Sequence, residues 1–401
     1  MRNICSRAVI GAVSFVLLCI PSLTFGSGFA IFTQGASALG QGAAVVAHND
    51  SPSAIFYNPA LINGMAGTQL EVGTTLIMPT REFTSAATGA ATSTEDKVFF
   101  PSTFYVTHAL NNSLSAGLGI FNPFGLATTW PENWEGRYIA TKSELTTYNI
   151  NPVVSYRITP KLALALGLDI IFLDSTLENK VFTGAPFDVL QKFKGSGTGL
   201  GYNLGLLLNV NDAVSIGASY RSEVKIDADG DLSLNIAPQS IGGSASITLP
   251  QQLSAGISYK SSDKWVLETG IRWEDWSSFN QLKIDIAGQS STILPRDWRG
   301  TLAINAGGKY RINDTFTMTG GYLYGSNPVP DSTFEPAIPD SNVHLFCIGG
   351  EAHLKKLTVA LAYAYQLQYE RSKSTNQYGP FANGTYNSHT HLFGVSLGYG
   401  F

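Results

Sequence analysis

Charge is scarce in this chain. Asp, Glu, Lys and Arg supply 13% of its residues, against about 25% in an ordinary soluble domain. Cysteine is nearly absent too. Of Cys5, Cys19 and Cys347, the first two fall in a leader-like start, so Cys347 has no partner for an internal disulfide. No metal-ligand spacing surrounds it, and it is expected to be a small apolar wall residue. No basic block stands out, which argues against a nucleic-acid partner. Beyond residue 26 no apolar run approaches about 20 residues, so spanning helices are excluded. No motif asks for a cofactor. What remains is an apolar chain rich in glycine, with 41 of them.

The first residues read as an export signal. Arg2 and Arg7 precede an apolar run from Ala8 to Ile20, then Pro21 and a small residue, Gly26, at the expected cleavage point. Leu18 stands where lipoprotein processing prefers a small residue, so Cys19 is not read as a lipid site. The mature chain then starts at Ser27 and keeps 23 basic against 29 acidic residues, a net charge of −6. An exported, apolar chain without spanning helices can cross a membrane only by pairing its backbone between strands in a closed barrel.

The other end agrees. In Leu392–Phe401 the residues Phe393, Val395, Leu397, Tyr399 and Phe401 share one face, with Gly or Ser between most of them. Such a strand suits the closing stave of an outer-membrane barrel, and its terminal Phe401 is the expected point of engagement with the barrel assembly machinery. From Thr68 onward, alternating segments recur near 68–79, 97–108, 113–121, 143–157, 162–173, 198–209, 213–226, 245–259, 264–275, 298–311, 314–324, 342–354, 357–370 and 388–401. Leu162–Asp169 is the clearest, with leucines outward and Ala, Gly and Asp inward. Tyr363 and Tyr365 stand where an aromatic girdle would lie. Short polar turns alternate with long connections throughout, as a barrel with tight periplasmic turns and long external loops requires. The expected fold is all-β: a fourteen-stranded antiparallel transmembrane barrel over residues 68–401.

Residues 27–67 do not read as strand. They are too apolar for a disordered tail and too few for a separate domain, so they are expected to fold inside the lumen as a hatch, with a periplasmic arm outside the barrel as the alternative. Asn58-Pro59-Ala60 fits a rigid turn whose side-chain amide bonds the local backbone. These three are candidates for hatch gating, with a purely structural turn as the competing reading.

Ser27-Gly28-Phe29, Leu39-Gly40 and Asn58-Pro59-Ala60-Leu61 resemble the N-terminal hatch of the FadL-type outer-membrane transporters. Asn122-Pro123-Phe124-Gly125-Leu126, Trp134-Glu135-Gly136-Arg137-Tyr138, Leu294–Arg299, and the run from Gly321 through Asp340 to His344 are similar to the same family. The family carries long-chain fatty acids and, in its TodX-like branch, aromatic hydrocarbons. The resemblance implies fourteen strands, a hatch, and passive passage through the wall beside a kinked third strand.

Residue chemistry suggests where the steps would fall. Phe121, Pro123, Phe124, Leu126, Trp130 and Trp134 are expected on an exposed loop that captures a hydrophobic ligand; packing on one another is the alternative. Phe29, Ile31 and Phe32 are expected at the apolar end of a hatch-built pocket. Gly117, Gly119 and Asn122-Pro123 permit a bulge and remove a ladder donor, which places the exit near residues 115–120. Arg137 and Lys142 are candidates for a ligand carboxylate, with loop partners or lipopolysaccharide as the competing use.

Other classes compete less well. A lipase or protease would need a nucleophile elbow, and none is present. His389 and His391 share a strand face but lack a third metal ligand, so hydrogen bonding is preferred. An adhesin or general porin would not need an apolar plug. The expected partners are a hydrophobic small molecule and outer-membrane lipid, for a monomeric barrel.

Overall fold

The computed structural model of the chain describes residues 28–184, 188–375, 378–379 and 381–401; the expected leader, 1–26, lies outside them. Fourteen strands form the wall: β1 Thr68–Ser85, β2 Ser102–Ala109, β3 Leu114–Phe121, β4 Lys142–Thr159, β5 Leu162–Val181, β6 Val189–Asn209, β7 Val214–Arg221, β8 Gln252–Lys260, β9 Trp265–Glu274, β10 Thr301–Arg311, β11 Phe316–Gly325, β12 Val343–Leu354, β13 Leu357–Gln368 and β14 Gly384–Gly400. Each pairs antiparallel with the next. The ring closes where β14 pairs with β1, from Gln69 opposite Gly400 to Ser85 opposite Gly384. Closure leaves no sheet edge for lipid to meet.

Alternation along the strands explains which face is which. On β5, Ala163, Ala165, Gly167 and Asp169 are buried while Leu164, Leu166 and Leu168 are exposed. Leu166 shows 59% of its surface, and Ile257, Ile271, Phe346, Ile348 and Leu361 are similarly open. That belt faces lipid rather than water.

The tight turns at one end share a device. Asn111 Oδ1 accepts from the N–H groups of Ser113 and Leu114. Asn211 does the same for Ala213 and Val214, and Asn313 for Thr315 and Phe316. Each asparagine mimics a backbone turn.

All fourteen expected segments overlap a strand, but the other end differs from expectation. The connections expected at 174–197 and 227–244 are largely strand, because β5 runs on to Val181, β6 starts at Val189, and two further strands, Val224–Leu234 and Ile241–Leu249, extend the sheet. Val224, Ile226 and Ala228 remain buried there, between exposed Lys225, Asp227 and Asp229. Charged outward positions made these stretches look like loop.

Residues 28–67 lie against the inner faces of the strands. They carry two short helices, α1 Ala36–Gly40 and α2 Ala54–Tyr57, then a 3-10 turn at Pro59–Gly64. Three wall carboxylates fasten them. Glu268 on β9 accepts from the N–H groups of Val46, Ala47 and His48 and faces the His48 ring at 2.8 Å. Glu71 on β1 accepts from Ser51 Oγ and Ser53 N–H. Glu351 on β12 accepts from Ser37 Oγ and is paired with Lys309 at 2.9 Å. Close approach is possible because the wall is glycine where the segment touches it. The Gln41 backbone sits on the cross-strand pair Gly307 and Gly321, in the space a side chain would take.

Candidate ligand cavity and its opening through the wall

The site begins where β3 ends. Pro123 has no N–H to donate, and after Phe121 the ladder with β4 stops, resuming at Gly125–Thr129. The side chain of Asn122 donates instead to Thr147 O, at 2.6 Å. The start of the chain fills the break: Ile31 N–H donates to Pro123 O at 2.8 Å, and Gly125 N–H to Phe29 O at 2.9 Å. Ala30 thus faces Phe124 in a single antiparallel bridge. Gln34 Nε2 adds a bond to Asn122 O.

β2 stops early as well. Its ladder with β1 ends at Thr74 opposite Ser102, and above it only Ile77 and Phe99 form an isolated bridge. Between β1 and Gly125–Thr129 lies a cavity of about 320 Å³, within the range of small-molecule sites. Phe29, Ile31, Phe32, Phe124 and Leu126 line it from inside. Phe100 and Tyr148, which line it too, are 59% and 50% exposed on the outer face. The cavity therefore runs from lumen to lipid side.

Phe29 anchors the inner end. Its ring stands 4.5 Å from Trp276, 5.7 Å from Trp298 and 6.1 Å from both Phe124 and Phe279. Gly28 must be glycine: its φ is 59°, and a Cβ would sit 2.7 Å from the Trp276 ring. Gly28 N–H donates to buried Asp340 at 3.0 Å, and Ser341 N–H to the other oxygen at 2.9 Å. Burial nevertheless pushes the Asp340 carboxyl up to about 7.

Below the cavity, the β4–β7 side of the lumen turns polar. Inward positions on β4 pass from Leu145 through Thr147, Asn149 and Asn151 to Val153, and Asp169 sits at matching height on β5. Asp169 is fully buried, paired with Arg221 and bonded by the Asn149 and Asn203 amides. On this side of the lumen the layer lies between Leu145 above and Val153 below.

The expected capture loop is a correction. Phe121, Phe124, Trp130 and Trp134 are each under 5% exposed, and the two tryptophans stack at 4.4 Å. Their rings cover Phe83 and one another instead of meeting solvent. Phe121 lies beneath the cavity, against Phe56 and Tyr105. Arg137 is outside the cavity as well, bonded to Asp188 at 2.8 Å and stacked on Tyr138. That partner holds the Arg137 guanidinium above its usual range. Lys142 pairs with Glu144. Over 115–120, the stretch expected as the exit, β3 stays paired with both β2 and β4, and Gly117 and Gly119 make room for Ile55 of the N-terminal segment. Asn58 caps the 3-10 turn through Ala60 N–H and ties it to β6 through Leu206 O, while Pro59 rests on Gly205. His391 bonds Tyr363 on the outer face.

Several site residues escaped the sequence reading. Trp298 and Asp340 lay within stretches already singled out but carried no role. Trp276, Phe99, Phe100 and Arg81 bore no signal; the last three meet only because the β1–β2 ladder stops at Thr74. The fastening glutamates did leave one: an acid at an inward position of a plugged barrel needs a partner.

A closed barrel with a filled lumen and a cavity breaching its wall has the architecture of an outer-membrane transporter of hydrophobic compounds. Residues 17–401 match the outer membrane protein transport protein family (OMPP1/FadL/TodX), and the chain belongs to it. It is 24% identical to a long-chain fatty acid transport protein of Escherichia coli, over 82% of this chain and 84% of that one. A long-chain fatty acid transport protein of Salmonella typhi is 23% identical, over 97% and 98%. In fold it is similar to a Pseudomonas aeruginosa FadL homologue, with TM-score 0.84 and 20% identity over 93% of this chain and 99% of the other. The Pseudomonas putida toluene transporter TodX gives 0.74 and 18%, over 92% and 98%.

Proposed function

We propose that this barrel imports long-chain fatty acids passively and releases them sideways into the bilayer beside β3. The observation that carries the reading is the cavity shared by Phe29 inside and Phe100 and Tyr148 outside. A greasy chain moving down the lumen would meet the buried Asp169–Arg221 pair and its amides, whose hydrogen bonds it cannot replace. Moving sideways it meets Phe99, Phe100, Phe124 and Leu126. The N-terminal segment acts as the hatch that builds the inner half of the cavity. Because Trp130 and Trp134 are buried, ligand capture does not use an exposed patch of that loop. An aromatic-hydrocarbon substrate is the second reading, favoured by the five phenylalanines, Phe29, Phe32, Phe99, Phe100 and Phe124, in the lining.

The test is uptake of labelled oleate and labelled toluene by a Gram-negative host lacking its own transporter. It should be run with an A30C/F124C pair that locks the start of the chain to the wall. A non-hydrogen-bonded antiparallel pair brings Cα atoms to about 4.5 Å, within disulfide reach. Uptake should fail in the oxidised protein and return on reduction. Normal uptake by the locked barrel would sink the gating reading.

A further inference from the structure

Arg81 stands alone in the cavity as a cation. Three charged residues line it: Arg81, Glu144 and Asp340. Glu144 is engaged by Lys142 at 2.7 Å, and Asp340 holds Gly28 and Ser341. Arg81 occupies an inward position on β1 and reaches across the wall gap, where Nη1 donates to Ala127 O at 2.8 Å and to Thr128 Oγ1 at 3.4 Å. Its Nε is buried without a hydrogen-bond partner. Among the described residues no carboxylate forms an ion pair with it, whereas Arg137, Arg221, Arg272, Arg296 and Arg371 each have one.

Asp340, in the same lining, acts on Arg81 only at longer range, and a guanidinium taken out of water without direct pairing is costly. A ligand anion would remove that cost, and the planar fork of Arg suits a carboxylate. We propose that Arg81 reads the carboxylate of the ligand, so that the cavity retains an amphipathic monocarboxylate in preference to a neutral hydrocarbon. This rests on the transport reading above and gives it a substrate class. With the head group at Arg81, the tail lies along Phe99, Phe100, Phe124 and Leu126, the apolar part of the same lining. The competing role is mechanical: Arg81 ties Gly125–Thr129 to β1 across the opening.

Binding to the full-length protein in lipid nanodiscs separates the two. Tryptophan emission is followed during titration with oleate and with oleyl alcohol, which has the same chain and no charge. Arg81→Gln should weaken oleate about tenfold or more, the loss expected for a charged hydrogen bond, and leave oleyl alcohol unchanged. Arg81→Lys should restore part of the oleate affinity. Equal loss of both ligands would assign Arg81 to fastening alone, and unchanged oleate binding would equally overturn the proposal. If the wild-type protein bound neither, the transport reading would fall first and the role of Arg81 with it.

Discussion

Ile55 and Gly117 share one space: a Cβ on Gly117 would lie 2.8 Å from Ile55 Cδ1. The glycine of the third strand is thus a socket for a side chain of the N-terminal segment. Gly117→Val should force that side chain out, with the 1–3 kcal/mol penalty typical of overpacking, roughly. Ile55→Ala in the same chain should recover part of the loss, giving a non-additive double-mutant cycle. Thermal melting of the assembled barrel measures both. Additive effects would show that the two residues do not compete.

Glu268 holds four donors of the segment: the Val46, Ala47 and His48 N–H groups and the His48 ring. Glu268→Ala leaves them without their acceptor, at about 1–3 kcal/mol for each donor that stays dry. Cys347 reports the result, because it faces inward against the cluster that includes Ala36, Leu39 and Ala43. Maleimide labelling of Cys347 should be slow in the native barrel and at least about tenfold faster in the variant, the ratio for 1.4 kcal/mol. Unchanged labelling would mean that Glu71 and Glu351 suffice to hold the segment.

The barrel was legible because its signal is local. Leu162–Asp169 shows the two-residue period directly, and turns such as Asn211-Asp212 mark where strands reverse. The cavity was legible only in part. Phe29 and Phe124 stood out as aromatics beside a glycine and a proline, and the structure brings them to 6.1 Å. Trp130 and Trp134 misled because the same composition serves an exposed patch and a closed roof; which one forms depends on whether Phe83 and Tyr386 lie above the lumen. Arg81 could not be found by pattern. Its meaning comes from the β1–β2 ladder that stops at Thr74 and the lack of a directly paired carboxylate, both long-range facts.

Phe100 offers the sharpest test of the exit. It sits on the outer face of the opening, 59% exposed, and a tail leaving sideways must slide past it. Phe100→Asp places a charge in that path, while the barrel bears it at a depth-dependent cost below the roughly 2–4 kcal/mol of a midplane Arg or Lys. Assembly is checked by heat-modifiable migration, and oleate uptake should then fall about tenfold or more. Asn149→Leu supplies the opposite arm, since it makes the polar layer beneath the cavity more apolar. With sideways release, that change leaves uptake where it was. If instead Phe100→Asp transports normally and Asn149→Leu transports faster, the ligand travels down the lumen past Asp169, and the wall opening is only a gap in the sheet.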